Sequence, residues 1–123
     1  MIKLVFVVRR RTDVSPADFR KYRLEQHGPL VRSYAAALRA RRYIQSHTLD
    51  TELNGYLCQA RGMTDSYDGI TEVWWDSLQD LAAAAGSPEG TQANLTLIQD
   101  EARFVDLARS SIFLTEEHTI FDN

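Results

Sequence analysis

Hydrophobic and polar positions divide the chain into segments with the periods of strands and helices. Residues 2–8 are nearly all apolar, which is typical of a central strand. Ser15 and Pro16 form a helix start, and apolar residues three or four apart then continue to about Ala40. The remaining periodic segments predict strands at 42–48, 70–75 and 112–121, and helices at 77–85 and from Pro88 onward.

The order of these elements predicts the fold class. Strand, helix, strand, strand, helix, strand is the α+β, ferredoxin-like order, in which helices cover one face of an antiparallel four-stranded sheet. A chain of 123 residues is long enough for one hydrophobic core, so we expect a single domain over 1–123. Segment 50–68 predicts a long loop with one helical turn, and long loops in compact domains are candidate lids.

The N-terminal helical stripe runs through a triplet that should interrupt it, His27-Gly28-Pro29. Pro29 lacks an amide hydrogen and crowds the carbonyl of Glu25, so we expect a kink that holds His27. An imidazole there could act as a general acid or base near neutral pH. Alternatively, it could hydrogen-bond the freed backbone and only fix the kink. The predicted stripe consists of Phe19, Tyr22, Gln26, Leu30, Tyr34 and Leu38.

Alternation along the strands predicts which side chains lie on the face opposite the helices. With the helices placed over the more apolar sets, Trp75 belongs to the core. The uncovered face is too apolar to stay in water, which favours a homodimer formed through it. The residues assigned to that face are Val5, Val7, Tyr43, Gln45, His47, Glu72 and Trp74.

Two pairs of residues on this uncovered face suggest a site for binding and reaction. A carboxylate at Glu72 beside His47 would orient the imidazole for proton transfer on a carbonyl substrate; the alternative is a structural ion pair with Lys or Arg across the interface between protomers. Tyr43 and Trp74 would form flat walls for an aromatic ligand, and Gln45 is a further substrate-binding candidate; the alternative for the two aromatic residues is interface packing.

Composition narrows the function classes. A net charge of −3 does not favour nucleic acid, and no apolar run is long enough to cross a membrane. The lone Cys58 suits a reducing cytoplasm, and no convincing base accompanies it as a nucleophile. His27, His47 and His118 lack the spacing of metal ligands. Since cofactor motifs are also missing, we expect chemistry without a metal or an organic cofactor.

A set of motifs extends over nearly the whole chain: Met1-Ile2-Lys3-Leu4, Ser15-Pro16, Phe19, Tyr22, His27-Gly28-Pro29-Leu30, Tyr67-Asp68-Gly69, Glu72-Val73-Trp74-Trp75-Asp76-Ser77 and Glu116-Glu117-His118. Together these motifs resemble the EthD family of the dimeric α/β-barrel superfamily. The resemblance implies a ferredoxin-like protomer whose sheet pairs with that of a second protomer around a lumen. It also implies a range of activities: roles in ether-degradation gene clusters beside a monooxygenase, and cofactor-free dehydratases, decarboxylases, cyclases or isomerases acting on aromatic and polyketide-like metabolites.

The leading functional hypothesis is a cytoplasmic homodimer that binds a small apolar or aromatic metabolite and transfers protons on it. His27 and His47 are the candidate acid and base, Glu72 the orienting carboxylate, and Tyr43, Gln45 and Trp74 the substrate-binding residues. A non-catalytic accessory protein of a monooxygenase pathway is the alternative, and a cofactor-independent monooxygenase is a third. A closed cavity containing histidine favours the enzyme.

Overall fold

The computed structural model describes residues 1–123 and contains one antiparallel sheet in the order β2-β3-β1-β4. All three strand pairs are antiparallel, which confirms the ferredoxin-like α+β fold. β2 and β4 are the sheet edges. The strands are β1 Ile2–Val8, β2 Arg42–His47, β3 Gly69–Trp75 and β4 Ser111–Glu116.

Helices begin where the sequence places their caps. The hydroxyl groups of Ser15, Ser77 and Ser87 accept hydrogen bonds from the backbone N–H three residues later, at 2.9–3.1 Å. None of the helices has the length and apolar character needed to cross a bilayer. They are α1 Pro16–Tyr22, α2 Gly28–Ser33, α3 Ala35–Leu38, α4 Glu52–Gln59, α5 Leu78–Gly86 and α6 Pro88–Glu101, with a 3₁₀ turn at Leu107–Arg109.

The expected kink is a π-helical turn, Arg23–His27, between α1 and α2. The N–H of Gly28 bonds to the carbonyl of Arg23, five residues back, so Pro29 falls at the start of α2, where its missing N–H costs little. The wider turn also rotates the buried stripe, which becomes Phe19, Arg23, His27, Val31 and Leu38. The predicted stripe was therefore wrong at Gln26, which is exposed.

Strand register corrects the prediction for β2. Tyr43 lies opposite Val73, and Val73 shares the helix-covered face with Trp75. Tyr43, Gln45 and His47 therefore lie under the helices and not on the outer face of the sheet. Alternation separates the two side-chain sets of a strand but does not say which set is covered, and both sets of β2 mix apolar and polar residues. For β1 and β3 the predicted faces are correct: Val5, Val7, Glu72 and Trp74 lie on the outer face.

The core lies between the sheet and the helices. One cluster joins β1 to α1 and to the segment after α6, and a second joins α2 and α3 to α6. Trp75 is buried as predicted, and its indole N–H donates to the carbonyl of Leu38 at 2.7 Å. The clusters are Phe6, Val8, Phe19, Phe104 and Val105, and Val31, Leu38, Ala93 and Leu97.

Candidate functional site

A cavity of about 190 Å³ lies between the sheet and the helices, where the two core clusters do not close. Most of its lining is apolar, including Phe6, Val73, Trp75 and Phe104. The exposed lining residues indicate that it meets the surface between α6 and β4; they are Asn94, Ile98 and Ile112. Its remaining polar lining residues are Arg23, His27, Tyr43, Thr71 and Glu101.

His27 reaches the cavity from the π turn and is 5% exposed. Its Nδ1 lies 2.7 Å from Oδ2 of Asp100 on α6, and the hydroxyl of Tyr22 donates to Oδ1 of the same carboxylate at 2.5 Å. An ionised carboxylate only accepts hydrogen bonds, so these partners place the imidazole proton on Nδ1 and leave Nε2 as a free base. The ring therefore does not hydrogen-bond the loosened backbone, which was the alternative role for His27.

Glu101 follows Asp100 and lies beside the free nitrogen of His27. Its Oε2 is 3.9 Å from Nε2 of His27. Burial, and then the negative charge of Asp100, raise the pKa of Glu101 to about 7. Burial lowers the pKa of His27 in spite of the opposing effect of Asp100. A neutral imidazole and a carboxyl that holds its proton near neutrality thus adjoin each other, as a base and an acid.

Arg23 lies in the same wall of the cavity and is 1% exposed. Its guanidinium donates to the carbonyl of Ser46 and to Oγ1 of Thr71, both at 2.9 Å. Gly69 provides the space for this group, because a Cβ at that position would collide with the guanidinium and lie 2.7 Å from the Ser46 carbonyl.

The side chains of β2 form a hydrogen-bonded row that leads away from the cavity. The amide N–H₂ of Gln45 donates to the hydroxyl of Tyr43 at 3.0 Å and to the carbonyl of Arg23 at 2.8 Å. Oε1 of Gln45 lies 2.8 Å from Nε2 of His47. Burial and then the charges of Arg23 and Arg20 lower the pKa of His47. Of this row only Tyr43 lines the cavity, so the structure does not place His47 there.

Glu72 and Trp74 lie on the opposite face of the sheet. Glu72 accepts from Nζ of Lys3 at 2.8 Å, an ion pair within the chain, whereas the alternative weighed for this residue was an ion pair across the interface. The indole N–H of Trp74 donates to Glu117, and the cations of Lys3 and Arg42 lie over its ring. The expected pairing of His47 with Glu72 is therefore wrong, as is a shared pocket for Tyr43 and Trp74.

Other candidate features do not converge on this cavity. No group of three or more His, Cys, Asp or Glu side chains is arranged to hold a metal ion. His118 is exposed beside Glu116, and Sγ of Cys58 is 3.6 Å from the hydroxyl of Ser66. A second, more open groove of about 580 Å³, the outer groove, lies at the sheet edge between β2 and the helices α2 and α3. It is lined by Arg32, Arg41 and Arg42 and by the predicted binding residues Tyr43 and Gln45, without a carboxylate or an imidazole.

Sequence reasoning did not identify Arg23, Asp100 and Glu101 as site residues. The sequence signal that could have identified Arg23 and Glu101 is a charged residue at helical spacing from buried apolar residues. Glu101 lies four residues after the buried Leu97, and Arg23 lies four after the buried Phe19. The apolar residues Leu95 and Ile98 of α6 are exposed, so apolar character alone does not indicate the buried face of this helix.

A comparison with known protein families identifies the family of this chain. The sequence model described as the EthD domain matches residues 11–108, most of the chain. The chain belongs to the EthD family. A comparison with curated proteins gave no match.

Solved structures share the fold of this EthD protein at low sequence identity. An EthD family protein from Bacillus halodurans C-125 has a TM-score of 0.64 and 17% identity, with 96% of this chain and 99% of that chain covered. An EthD-like protein from Ralstonia eutropha JMP134 has a TM-score of 0.59 and 16% identity, covering 94% and 90%. A dimeric ferredoxin-like protein of unknown function from Thermobifida fusca YX has a TM-score of 0.57 and 16% identity, covering 93% and 88%.

Proposed function

We propose that this EthD protein is an enzyme that transfers protons on a small, largely apolar metabolite without a metal or an organic cofactor. The observation that carries the proposal is the pairing of a free imidazole nitrogen with a carboxyl of raised pKa inside a mostly apolar cavity. Clefts that combine apolar walls with a few convergent titratable groups are typical of small-molecule sites.

The volume of the cavity limits the size of the bound group. An engineered protein cavity of about 150 Å³ holds one benzene molecule. A space of about 190 Å³ therefore suits a single ring with a small substituent. We expect the reacting part of the substrate to be ring-sized, and any longer polyketide-like portion to extend past Asn94 and Ile98 toward solvent.

The proposed reaction begins at the free nitrogen of His27. Nε2 removes a proton from a carbon next to a carbonyl, the C–H electron pair moves into the carbonyl, and an enolate forms. Glu101 in its protonated form gives its proton to the enolate oxygen or to a leaving group on the neighbouring carbon. Proton transfer from the imidazolium to the Glu101 carboxylate restores the starting state, and the Asp100 carboxylate stabilises the imidazolium meanwhile. Isomerisation, dehydration, decarboxylation and cyclisation reactions can all proceed through an enolate of this kind.

A homodimer is part of the proposal. β4 is an edge strand with three consecutive half-exposed apolar side chains, Ile112, Phe113 and Leu114. Such an edge favours pairing with a second copy of the chain. Because Ile112 also lines the cavity, the second protomer would contribute to its entrance.

The alternative is a non-catalytic accessory protein that holds a product for a monooxygenase. The ring-sized apolar space fits this role as well as catalysis, because holding a product requires binding but no acid or base. The two roles differ in one property: an accessory protein binds a ring-sized carbonyl compound but does not exchange its protons. A cofactor-independent monooxygenase would in addition consume dioxygen.

Proton exchange with solvent tests the proposal. Acetophenone, which carries exchangeable protons next to a ring-bound carbonyl, is incubated with the protein in D₂O and followed by ¹H NMR. We expect protein-dependent loss of the methyl signal that His27→Ala abolishes and His47→Ala retains. Binding of the ketone without exchange would support the accessory role, and oxygen consumption during the reaction would support the monooxygenase.

A further inference from the structure

Arg23 is a buried cation without a carboxylate partner. A guanidinium has five N–H donors. Arg23 donates one to the carbonyl of Ser46 and one to Oγ1 of Thr71, both uncharged acceptors, and its remaining three N–H groups have no acceptor in the protein. No ion pair involves it, although twelve other pairs of basic and acidic groups lie within reach of each other in this chain.

An unpaired interior charge is costly, because a buried ion loses its hydration and normally recovers the loss through a counter-ion. Despite this cost the Arg23 guanidinium stays protonated, because arginine does not lose its proton in proteins. Among the polar cavity groups, Tyr43 keeps its proton at neutral pH because burial raises its pKa, His27 is neutral or positive, and Thr71 is uncharged. Glu101, with a pKa of about 7, is the carboxyl that lines the cavity, and it lies beside His27 and makes no ion pair with Arg23. The positive charge of Arg23 is also one of the causes that lower the pKa values of His27 and His47.

The position of Arg23 is built into the fold. The π turn directs its side chain between β2 and β3, and the missing side chain at Gly69 makes room for the guanidinium. The group lines the cavity beside the hydroxyls of Thr71 and Tyr43, in the same cavity as the His27 and Glu101 pair.

We propose that Arg23 binds the carboxylate of the ligand, so that the substrate is a ring-sized acid whose anionic group lies at Arg23 while its apolar body fills the cavity. The inference rests on the proposed function, because it assigns the substrate class of the same cavity. A carboxylate matches the planar fork of the guanidinium and takes the free N–H groups that the protein leaves without acceptors. Within this arrangement the other end of the ring faces His27 and Glu101.

The competing role for Arg23 is a structural one, in which it only ties the π turn to β2 and β3 through Ser46 and Thr71. A structural arginine would not distinguish a charged ligand from a neutral one of the same shape. Benzoate and benzamide form such a pair, since they differ in charge and hardly in size. Comparing their binding therefore separates the two roles without a mutation.

The experiment measures binding of benzoate and of benzamide to the wild type, Arg23→Met, Arg23→Lys and Arg32→Met by calorimetry at pH 7. We expect the wild type to bind benzoate about tenfold to a hundredfold more tightly than benzamide, the difference that one charge-assisted, desolvated contact gives. Arg23→Met should bind both equally, and Arg23→Lys should keep a reduced preference. Arg32→Met, which removes a cation from the outer groove, should behave as the wild type.

Each of the other outcomes contradicts a specific part of the proposal. Equal binding of both compounds to the wild type would leave the cavity as a ring-binding site and refute the carboxylate site. A preference lost in Arg32→Met and kept in Arg23→Met would place the anion in the outer groove and also refute it. Binding of neither compound would remove the ring-sized ligand, and with it both the proposed function and this inference. If Arg23→Met does not fold, the wild type and Arg23→Lys still decide, because only a carboxylate site gives them unequal preferences for benzoate.

Discussion

Nδ1 of His27 lies 2.7 Å from a carboxylate oxygen of Asp100, a residue 73 positions later in the chain. This contact joins the π turn to the end of α6 and fixes which nitrogen of the imidazole faces the cavity. The remaining carboxylate oxygen of Asp100 accepts the hydroxyl of Tyr22. A carboxylate held from both sides positions the ring in one tautomer, which is the arrangement that a general base requires.

Replacing His27 should abolish most of the chemistry, whereas replacing His47 should not. His27→Ala removes the proposed base and should lower the exchange rate by about a hundredfold or more. His47→Ala should lower it by less than about tenfold, because His47 lies outside the cavity and is connected to it only through the hydrogen bonds of Gln45 and Tyr43. Solvent-deuterium incorporation into acetophenone measures both. Similar losses of exchange rate in the two variants would contradict the assignment of His27 as the single base.

Asp100→Asn should lower the proton-exchange rate more than it lowers the free energy of unfolding. Asparagine keeps the size of the side chain, but with its carbonyl accepting from the Tyr22 hydroxyl its N–H₂ faces Nδ1. The imidazole proton then moves to Nε2, the free base is lost, and the exchange rate should fall by about a hundredfold. Tyr22→Phe removes one hydrogen bond to the same carboxylate and should cost about 1 kcal/mol of unfolding free energy with a smaller loss of rate. Parallel rate and denaturation measurements separate these effects. Equal loss of rate in both variants would argue against a tautomer role.

Glu101→Gln should change how stability depends on pH. The folded-state pKa of about 7 exceeds the ordinary value of 4.5, so the folded protein holds a proton that the unfolded chain releases between these values. Wild-type stability should therefore decline relative to the variant as the pH rises from about 4.5 to about 7, by up to about 3 kcal/mol. Urea denaturation at pH 4.5, 6 and 8 measures the difference. A difference that stays constant with pH would mean that Glu101 is not perturbed.

Gly69→Ala should destabilise the protein because its methyl group would enter the space of the Arg23 guanidinium and approach the Ser46 carbonyl. Overpacking of this kind typically costs about 1–3 kcal/mol. Gly55→Ala in α4 is the matched control, since no atom lies near its Cβ and alanine favours a helix by about 1 kcal/mol. Chemical denaturation of both variants gives the comparison. Equal stability of Gly69→Ala and the wild type would show that Arg23 can move aside.

Phe113→Asp should convert the proposed homodimer into a monomer. Phe113 is 48% exposed on the outer face of β4, and a charge there would be buried between two copies. Leu95→Asp is the control, because Leu95 is similarly exposed, at 50%, and belongs to α6 instead of the edge strand. Light scattering at micromolar concentration reports the mass. A wild type that is already monomeric would refute the dimer, and an unchanged mass for Phe113→Asp would move the interface elsewhere.

Local chemistry in the sequence was sufficient for the element order and for the helix starts. Ser15, Ser77 and Ser87 cap helices through contacts three residues away, and Pro29 can occupy a helix only near its first turn. The interruption at His27 was visible for the same reason. These interactions join residues close in the chain, so the order of residues alone determines them.

The tertiary structure decided the face of β2 and the partners of His27. Alternation leaves two choices for each strand, and packing of Tyr43 beneath α2 and α3 selects one of them for β2. The π turn rotates Arg23 and His27 into the core, where α6 supplies Asp100 and Glu101. The sequence by itself therefore determined the fold and two of the residues that line the cavity, His27 and Tyr43. Contacts between residues distant in the chain decided the rest of the site, because the burial and charge of a side chain depend on what packs beside it.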